Sequence, residues 1–350
     1  MSKMVAVKEL VPGNVLSDAV LSITGKVLLG KDVELTARHI SLLITWDVQG
    51  VFINAAEGDS GNLSQEPEPE IKSEEYIQFT KEYDGIMTSI AQSFEVIQER
   101  QIIPVTNLKN TAGEIYSSIA KNSFEIMNYL LIEDYKLADV VSRHSVMVAY
   151  FSGLIARQMK WSENDITGVT LASLMHDIGN LVANKSVDFR KQAHIAETAG
   201  LLKRTSGLSG EVILGIVQHR EYMNGSGFPK GSTGSQIHPY AKIIAVADAF
   251  HNLAYTDKYT NPFPILDMLT REMYGKFDAD VCQNFISRVR DSLLFNKVSL
   301  SNGEMAEIVF FNKNHCYAAP VVKMANNEIV DLAERKDLTI QQIVLSKINV

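Results

Sequence analysis

Imidazole and carboxylate side chains recur in this 350-residue chain at places where their neighbours are apolar. His144 sits in DVVSRHSVMVAYFSGLIA, the adjacent His176–Asp177 ends LASLMHDIG, His219 ends EVILGIVQH, and Asp248 interrupts KIIAVADAF. Burying a carboxylate unpaired costs several kcal/mol even after its surroundings relax, so Asp177 and Asp248 call for cationic partners. Imidazole and carboxylate together are suitable ligands for Zn, Mn or Fe. A lone His on an apolar face is more often a hydrogen-bonded core residue, and an Asp on a helix more often a cap. The combination is what points to a metal. Straight after His219 comes HREYMNGSGFPKGSTGSQIHPYAKI, whose Asn224–Gly225, Ser226–Gly227 and Pro229 predict a rigid, multiply turned loop. Lying between the segments that carry His219 and Asp248, it would wall the metal pocket. Gly179 is expected to let its helix end with the Asp177 carboxylate facing a cavity.

The elements that must position these groups follow from the apolar spacing. Residues 1–54 read as a small α/β module. In it, VLSDAVLSITGKVLLGKDVEL forms short strands broken at Gly25 and Gly30, TARHISLLITWDV is helical with Thr36 as candidate N-cap, and GVFI is a closing strand. Residues 55–72 are rich in Gly, Ser, Pro and Glu and cannot offset their chain entropy by burial, so they read as a linker. Residues 73–130 form a helical connector, with Ile77, Tyr83, Ile86, Ile90 and Phe94 at helical steps as a packing or homodimer face. Residues 131–295 form the helical domain that bears the chemistry. In residues 296–350 the period changes, and EMAEIVFFN followed by APVVKMANNEIVDL predicts a β-hairpin extension turning at Asn326–Asn327. The expected fold class is mainly α.

Composition narrows the ligand. With 33 basic against 41 acidic residues the chain has a formal net charge of −8, which argues against a polymeric nucleic acid as partner. A small phosphorylated ligand needs only a local cation or a metal. Cys282 and Cys316 suit two reduced cytosolic thiols rather than a disulfide framework. The start lacks the apolar core of a signal peptide, and no run approaches the roughly 18–20 apolar residues of a membrane span. A cytoplasmic protein without membrane partners is expected.

His144, HDIG at 176–179, HRE…NGSGFPKG at 219–231 and IIAVAD at 243–248 together resemble an HD-GYP domain, from the bacterial subgroup of HD metal-dependent phosphohydrolases that hydrolyse cyclic di-GMP. The resemblance covers roughly residues 130–290, with all four motifs in order. PGNVLSDAV…TGKVLL resembles a small N-terminal module often attached to such domains, and LSNGEMAEIVFF…APVVK resembles their C-terminal extension. The resemblance implies a helical HD-type bundle that works as a metal-dependent phosphodiesterase in second-messenger signalling. It implies one or two divalent ions (Fe, Mn or Zn) on His144, His176, Asp177, His219 and Asp248. The implied substrate is cyclic di-GMP or a related nucleotide, and a diguanylate cyclase-type protein is a candidate partner.

The chain departs from the family pattern at the chemistry. Asn180 stands for the usual Lys, Arg220 for the second His of a pair, Asn224 for Asp, Phe228 for Tyr, and His251 for an Asp. Where the family carries a further His there is Ala196; His194 lies two residues earlier, about 200° around a helix, and is expected to face away. His251, one turn from Asp248, is a candidate substitute ligand. On this resemblance Asp177 would hold the attacking hydroxide, and Arg220, Lys230 and Lys258 would neutralise phosphoryl oxygens. His219 would protonate the leaving oxygen, and Phe228 would stack on a guanine. The alternative is a degenerate relative that binds a nucleotide or a protein without hydrolysis.

Overall fold

The computed structural model describes residues 2–11, 13–21, 27–29, 31, 33, 35, 40, 43, 48, 50–54, 74–121, 123–132, 140–182, 193–254, 261–311 and 319–344. The chain divides into two compact units, residues 1–70 with 310–321, and residues 71–309 with 322–350. In the first, strand β1 (Ser2–Ala6) runs antiparallel to β4 (Gly50–Asn54), with Val5 opposite Val51. β2 (Val20–Leu21) pairs with β3 (Val27–Leu29). Leu16, Leu35, Leu43, Val51 and Ile53 form its buried core. Of the helix expected over TARHISLLITWDV, the described positions Ile40 and Leu43 are helical; Thr36, Gly25, Gly30 and the linker lie outside the described residues.

The second unit is built on helices. α1 (Glu74–Arg100) and α2 (Val105–Lys121) are followed by α3 (Ser123–Ile132) and α4 (Val140–Gln158). Next come α5 (Glu163–Met175), the short α6 (Gly179–Val182), α7 (Ala193–Lys203) and α8 (Gly210–Gln218). α9 (Pro239–Ala254), α10 (Phe263–Glu272) and α11 (Ala279–Leu293) complete it. Several begin where a short polar side chain can accept the orphan N–H groups of a first turn. Ser162 accepts from Asp165 N–H at 3.2 Å, Ser209 from Val212 N–H at 3.4 Å, and Asp278 from the N–H groups of Asp280 and Val281.

α1 buries Tyr83, Ile86, Ile90 and Phe94, while Ile77, in its first turn, is 56% exposed and does not join that face. The aromatic stripe packs within the chain: Phe79 and Tyr83 meet Tyr150 of α4 at ring-centroid distances of 5.9 and 6.0 Å. α4 runs through the middle of the unit, with Val146 to Ile155 apolar or small almost throughout, and buried. Such a helix, apolar all round, needs neighbours on every side. α5, α9, α1, α2 and α11 supply them. Phe151 of α4, Phe250 of α9 and Phe285 of α11 meet edge to face at 5.2, 5.8 and 4.8 Å, and tie together three helices behind the chemical groups.

The expected C-terminal hairpin is present as β7 (Val321–Met324) and β8 (Ile329–Asp331), with Asn327 at φ 67° in the turn. It forms part of a larger sheet. β5 (Lys297–Leu300), β6 (Met305–Phe310) and β9 (Ile340–Val344) extend it to five strands in the order β8-β7-β6-β5-β9. β5 alternates over only four residues, and the adjacent Gln341 and Gln342 interrupt the alternation in β9. Among the described residues no helix is long and apolar enough to cross a membrane. Replacing Phe285 with Ala is expected to cost about 3–5 kcal/mol in the unfolding free energy of the helical unit, read from urea denaturation by circular dichroism.

Candidate metal centre

Two histidines reach the site by the same local device. His176 follows the last residue of α5 and His219 the last residue of α8, where helix carbonyls have no partner within the helix. His176 Nδ1 lies 2.7 Å from the Ser173 carbonyl, and His219 Nδ1 lies 2.7 Å from that of Ile216. A carbonyl can only accept, so each Nδ1 carries the proton and each Nε2 points inward with its lone pair. Both side chains are fully buried.

Asp177 follows His176 directly, and α6 then starts at Gly179. The expected role of Gly179 as a helix-ending residue is replaced by another. A Cβ there would strike the His194 carbonyl oxygen and Thr198 Oγ1, so glycine allows α7 to lie against the turn. Its N–H donates to Thr198 Oγ1 at 3.1 Å. This contact corrects the expectation for His194: α7 begins one residue before it, and its docking on Gly179 turns the imidazole into the site. His194 Nε2 lies 3.4 Å from Asp177 Oδ1.

The remaining groups come from α4, α9 and the segment after α8. His144 Nε2 lies 3.0 Å from His176 Nε2 and 3.3 Å from Asp248 Oδ1. Asp177 Oδ2 is 3.7 Å from His176 Nε2 and 3.9 Å from His144 Nε2. His251 Nδ1 is 3.0 Å from His144 Nδ1, so the residue considered a substitute ligand instead meets the outer nitrogen of His144. Asn252, one turn beyond Asp248, donates to Asp248 Oδ1 at 2.7 Å. Arg220 binds both carboxylates, with one terminal nitrogen 3.0 Å from Asp248 Oδ2 and the other 3.7 Å from Asp177 Oδ2, and its Nε–H donates to His219 Nε2 at 3.1 Å.

Charge follows from this crowding. Burial pushes the Asp177 and Asp248 carboxyls up, but the imidazoles around them and Arg220 outweigh it, and both are held well below the usual carboxylate range. Burial opposes the His176 imidazolium, and the nearby Asp177 and Asp248 reverse that, so its pKa rises. His194 and His219 go the other way: burial, with neighbouring positive charge, lowers them despite Asp177. For His251, burial and the neighbouring His144 and Arg143 lower the pKa to about 3, so it stays neutral. His219 therefore has its proton committed to a backbone carbonyl and its lone pair to Arg220. That geometry argues against the donor role expected for it at a leaving oxygen.

The donor set fits a divalent ion. The ligand atoms of His144, His176 and Asp248 lie within 4.8 Å of one another, as do those of His176, Asp177 and His219. Asp177 Oδ1 and His194 Nε2 are buried and make no hydrogen bond. A buried carboxylate oxygen and imidazole nitrogen left without hydrogen bonds are stable beside a cation. Nitrogen and oxygen donors of this kind suit Zn, Mn or Fe.

The loop after Arg220 folds back onto the Arg220–Tyr222 backbone. Glu221, buried and overlooked in the sequence, accepts the backbone N–H groups of Lys230 and Ser232 at 2.7 and 2.9 Å. Phe228 N–H donates to the Arg220 carbonyl at 3.0 Å, and a Cβ on Gly227 would fall onto the backbone of Arg220–Tyr222. Asn224 Oδ1 accepts from Ser226 N–H and Oγ, so this side chain shapes the turn. Phe228 is half-buried and the Lys230 side chain exposed; Lys258 lies outside the described residues. Asn252 and Glu221 could have been suspected from their spacing, one helical turn after Asp248 and next to Arg220. His194 needed the packing of α7.

Residues 128–281 match the family model described as HD domain. The segment that holds the His–Asp cluster is therefore an HD domain. Among similar proteins is the cyclic di-GMP phosphodiesterase PdeB of Borreliella burgdorferi, 25% identical over 212 residues that make up 56% of this chain and 55% of that protein. A cyclic di-GMP phosphodiesterase of Thermotoga maritima is 29% identical over 175 residues, 45% of this chain and 46% of its own. The 3′3′-cGAMP-specific phosphodiesterase 3 of Vibrio cholerae is 35% identical over 133 residues, 35% of this chain and 29% of its own. The chain thus spans about half the length of the first two and less of the third. A solved HDG"Y"P protein of Bdellovibrio bacteriovorus, Bd1817, shares the fold with TM-score 0.53 and 17% identity, over 83% of this chain and 100% of that one. Within the HD class, the order of the motifs in this chain is similar to that of HD-GYP domain proteins.

Since His251 orients His144 through its outer nitrogen, replacing His251 with Ala is expected to weaken divalent-ion affinity about 10–100-fold with the helix content unchanged. A Mn(II) titration against a competing chelator reads this directly.

Proposed function

We propose that this chain is a metal-dependent phosphodiesterase that hydrolyses cyclic di-GMP. The observation that carries the reading is the convergence of His144 Nε2, His176 Nε2, Asp177 Oδ2 and Asp248 Oδ1. Those four groups would hold a divalent ion of Fe, Mn or Zn. When bound, such an ion supplies Lewis acidity toward a phosphoryl oxygen and acidifies water. Relatives named for cyclic di-GMP and 3′3′-cGAMP support a cyclic purine dinucleotide as the substrate class.

The chain's own residues supply the rest. Asp177 Oδ1, which accepts no hydrogen bond, orients the attacking water. Arg220 has five N–H donors, its side chain is a quarter exposed, and its outward N–H groups face an incoming phosphoryl oxygen. The loop held by Glu221 offers the Phe228 ring for stacking on a base and the Lys230 ammonium for the second phosphate. No serine elbow or Cys–His pair competes as nucleophile in the sequence.

A second reading has one observation in its favour. Arg220 is paired with the two carboxylates that would take the metal, which suits a module that binds a nucleotide without cutting it. The two readings separate in one experiment, turnover of cyclic di-GMP by protein reconstituted anaerobically with Fe or Mn. Hydrolysis is expected, with a loss of about 100-fold or more in Asp177→Asn and Asp248→Asn, because Lewis-acid assistance is worth several kcal/mol. Nucleotide binding by calorimetry with no turnover would assign the second reading.

A further inference from the structure

The buried donor atoms fall into two groups that share one carboxylate. On one side, Asp177 Oδ2 faces His144 and His176, with Asp248 Oδ1 beside them. On the other, Asp177 Oδ1 lies 3.4 Å from both His194 Nε2 and His219 Nε2. Two atoms of this second group, Asp177 Oδ1 and His194 Nε2, make no hydrogen bond. The third, His219 Nε2, presents a lone pair because Nδ1 is turned to the Ile216 carbonyl. The Asp177 carboxylate oxygen and the His219 lone pair, this close together, need positive charge next to them.

The positive charge there is Arg220. Its Nε–H is on His219 Nε2 at 3.1 Å, and its terminal nitrogens are on Asp248 Oδ2 at 3.0 Å and Asp177 Oδ2 at 3.7 Å. A guanidinium stays charged at any ordinary pH and has no lone pair to offer a metal. We propose that Arg220 is the permanent cation of this second donor group and limits the centre to one divalent ion per chain, held by His144, His176, Asp177 and Asp248. The inference rests on the reading of that first group as a metal site.

Two physical arguments lead there. The first is occupancy: the Arg220 Nε–H uses the His219 lone pair that another ion would need. The second is charge. Two carboxylates, one guanidinium and one divalent ion nearly balance, whereas a further divalent ion would sit within contact distance of a fixed positive group in a site with little water to screen it. Replacing Arg220 by a residue with a lone pair removes both obstacles together.

The test is metal stoichiometry, which does not depend on turnover. Full-length protein is reconstituted with excess Mn(II), freed of loose ion by gel filtration, and measured by plasma mass spectrometry and electron paramagnetic resonance. One ion per chain with the signal of isolated Mn(II) is expected for the wild type. Arg220→His should approach two ions with a spin-coupled signal, and adding His194→Ala should return it to one. A wild type with two coupled ions overturns the inference alone and leaves the phosphodiesterase reading standing. A wild type that binds no ion overturns both. Arg220→His that folds by circular dichroism yet stays at one ion also overturns it. Because the wild-type signal already separates one ion from a coupled pair, a variant that fails to fold does not shield the proposal.

Discussion

Two carboxylates, Asp177 and Asp248, are carried into a place nearly without water, and most of the helical unit is arranged around that fact. Left alone, each would neutralise itself by taking a proton or would pull its helix apart. Instead, five elements each send something toward them. α4 contributes His144, the end of α5 His176, α7 His194, the end of α8 His219 and Arg220, and α9 Asp248 itself with Asn252. The Phe151–Phe250–Phe285 cluster behind them fixes how α4 and α9 cross, and so where His144 and Asp248 meet. Packing and electrostatics are one problem here: the helices cannot part without stranding charge, and the charges cannot gather without the helices.

Much of this was legible in the chain. A carboxylate in an apolar helix is conspicuous, and His144, His176–Asp177, His219 and Asp248 stand out for that reason alone. The turn at Asn326–Asn327 is local chemistry, which a sequence carries openly. What escaped was set by contacts between distant segments. The direction of His194 depends on α7 lying against Gly179, a contact that counting along one helix cannot reveal. Edge strand β9 is made by pairing with β5 rather than by a strong pattern of its own. Glu221 looks like an ordinary surface acid until the loop folds back and gives it two backbone N–H groups to hold.

Arg220 changes the meaning of its neighbours as much as it adds a charge. With it in place, His219 is an acceptor of a hydrogen bond, and Asp248 divides its two oxygens between a guanidinium and an imidazole pair. Asp177 does the same across two sets of histidines. Each carboxylate is thus a hinge between neighbouring donor groups, so a change on one side is felt on the other.

The loop after Arg220 is anchored through the N–H groups of Phe228, Lys230 and Ser232, the first on the Arg220 carbonyl and the other two on the Glu221 carboxylate, and through the bare α-carbon of Gly227. None of those anchors uses the Phe228 ring or the Lys230 amine. Frame and face are therefore separable in heredity. Residues at 228 and 230 can drift toward a different base or phosphate pattern while the frame docked on Arg220 and Glu221 stays intact. A lineage built on this loop can change its ligand in small steps, each of them still folded.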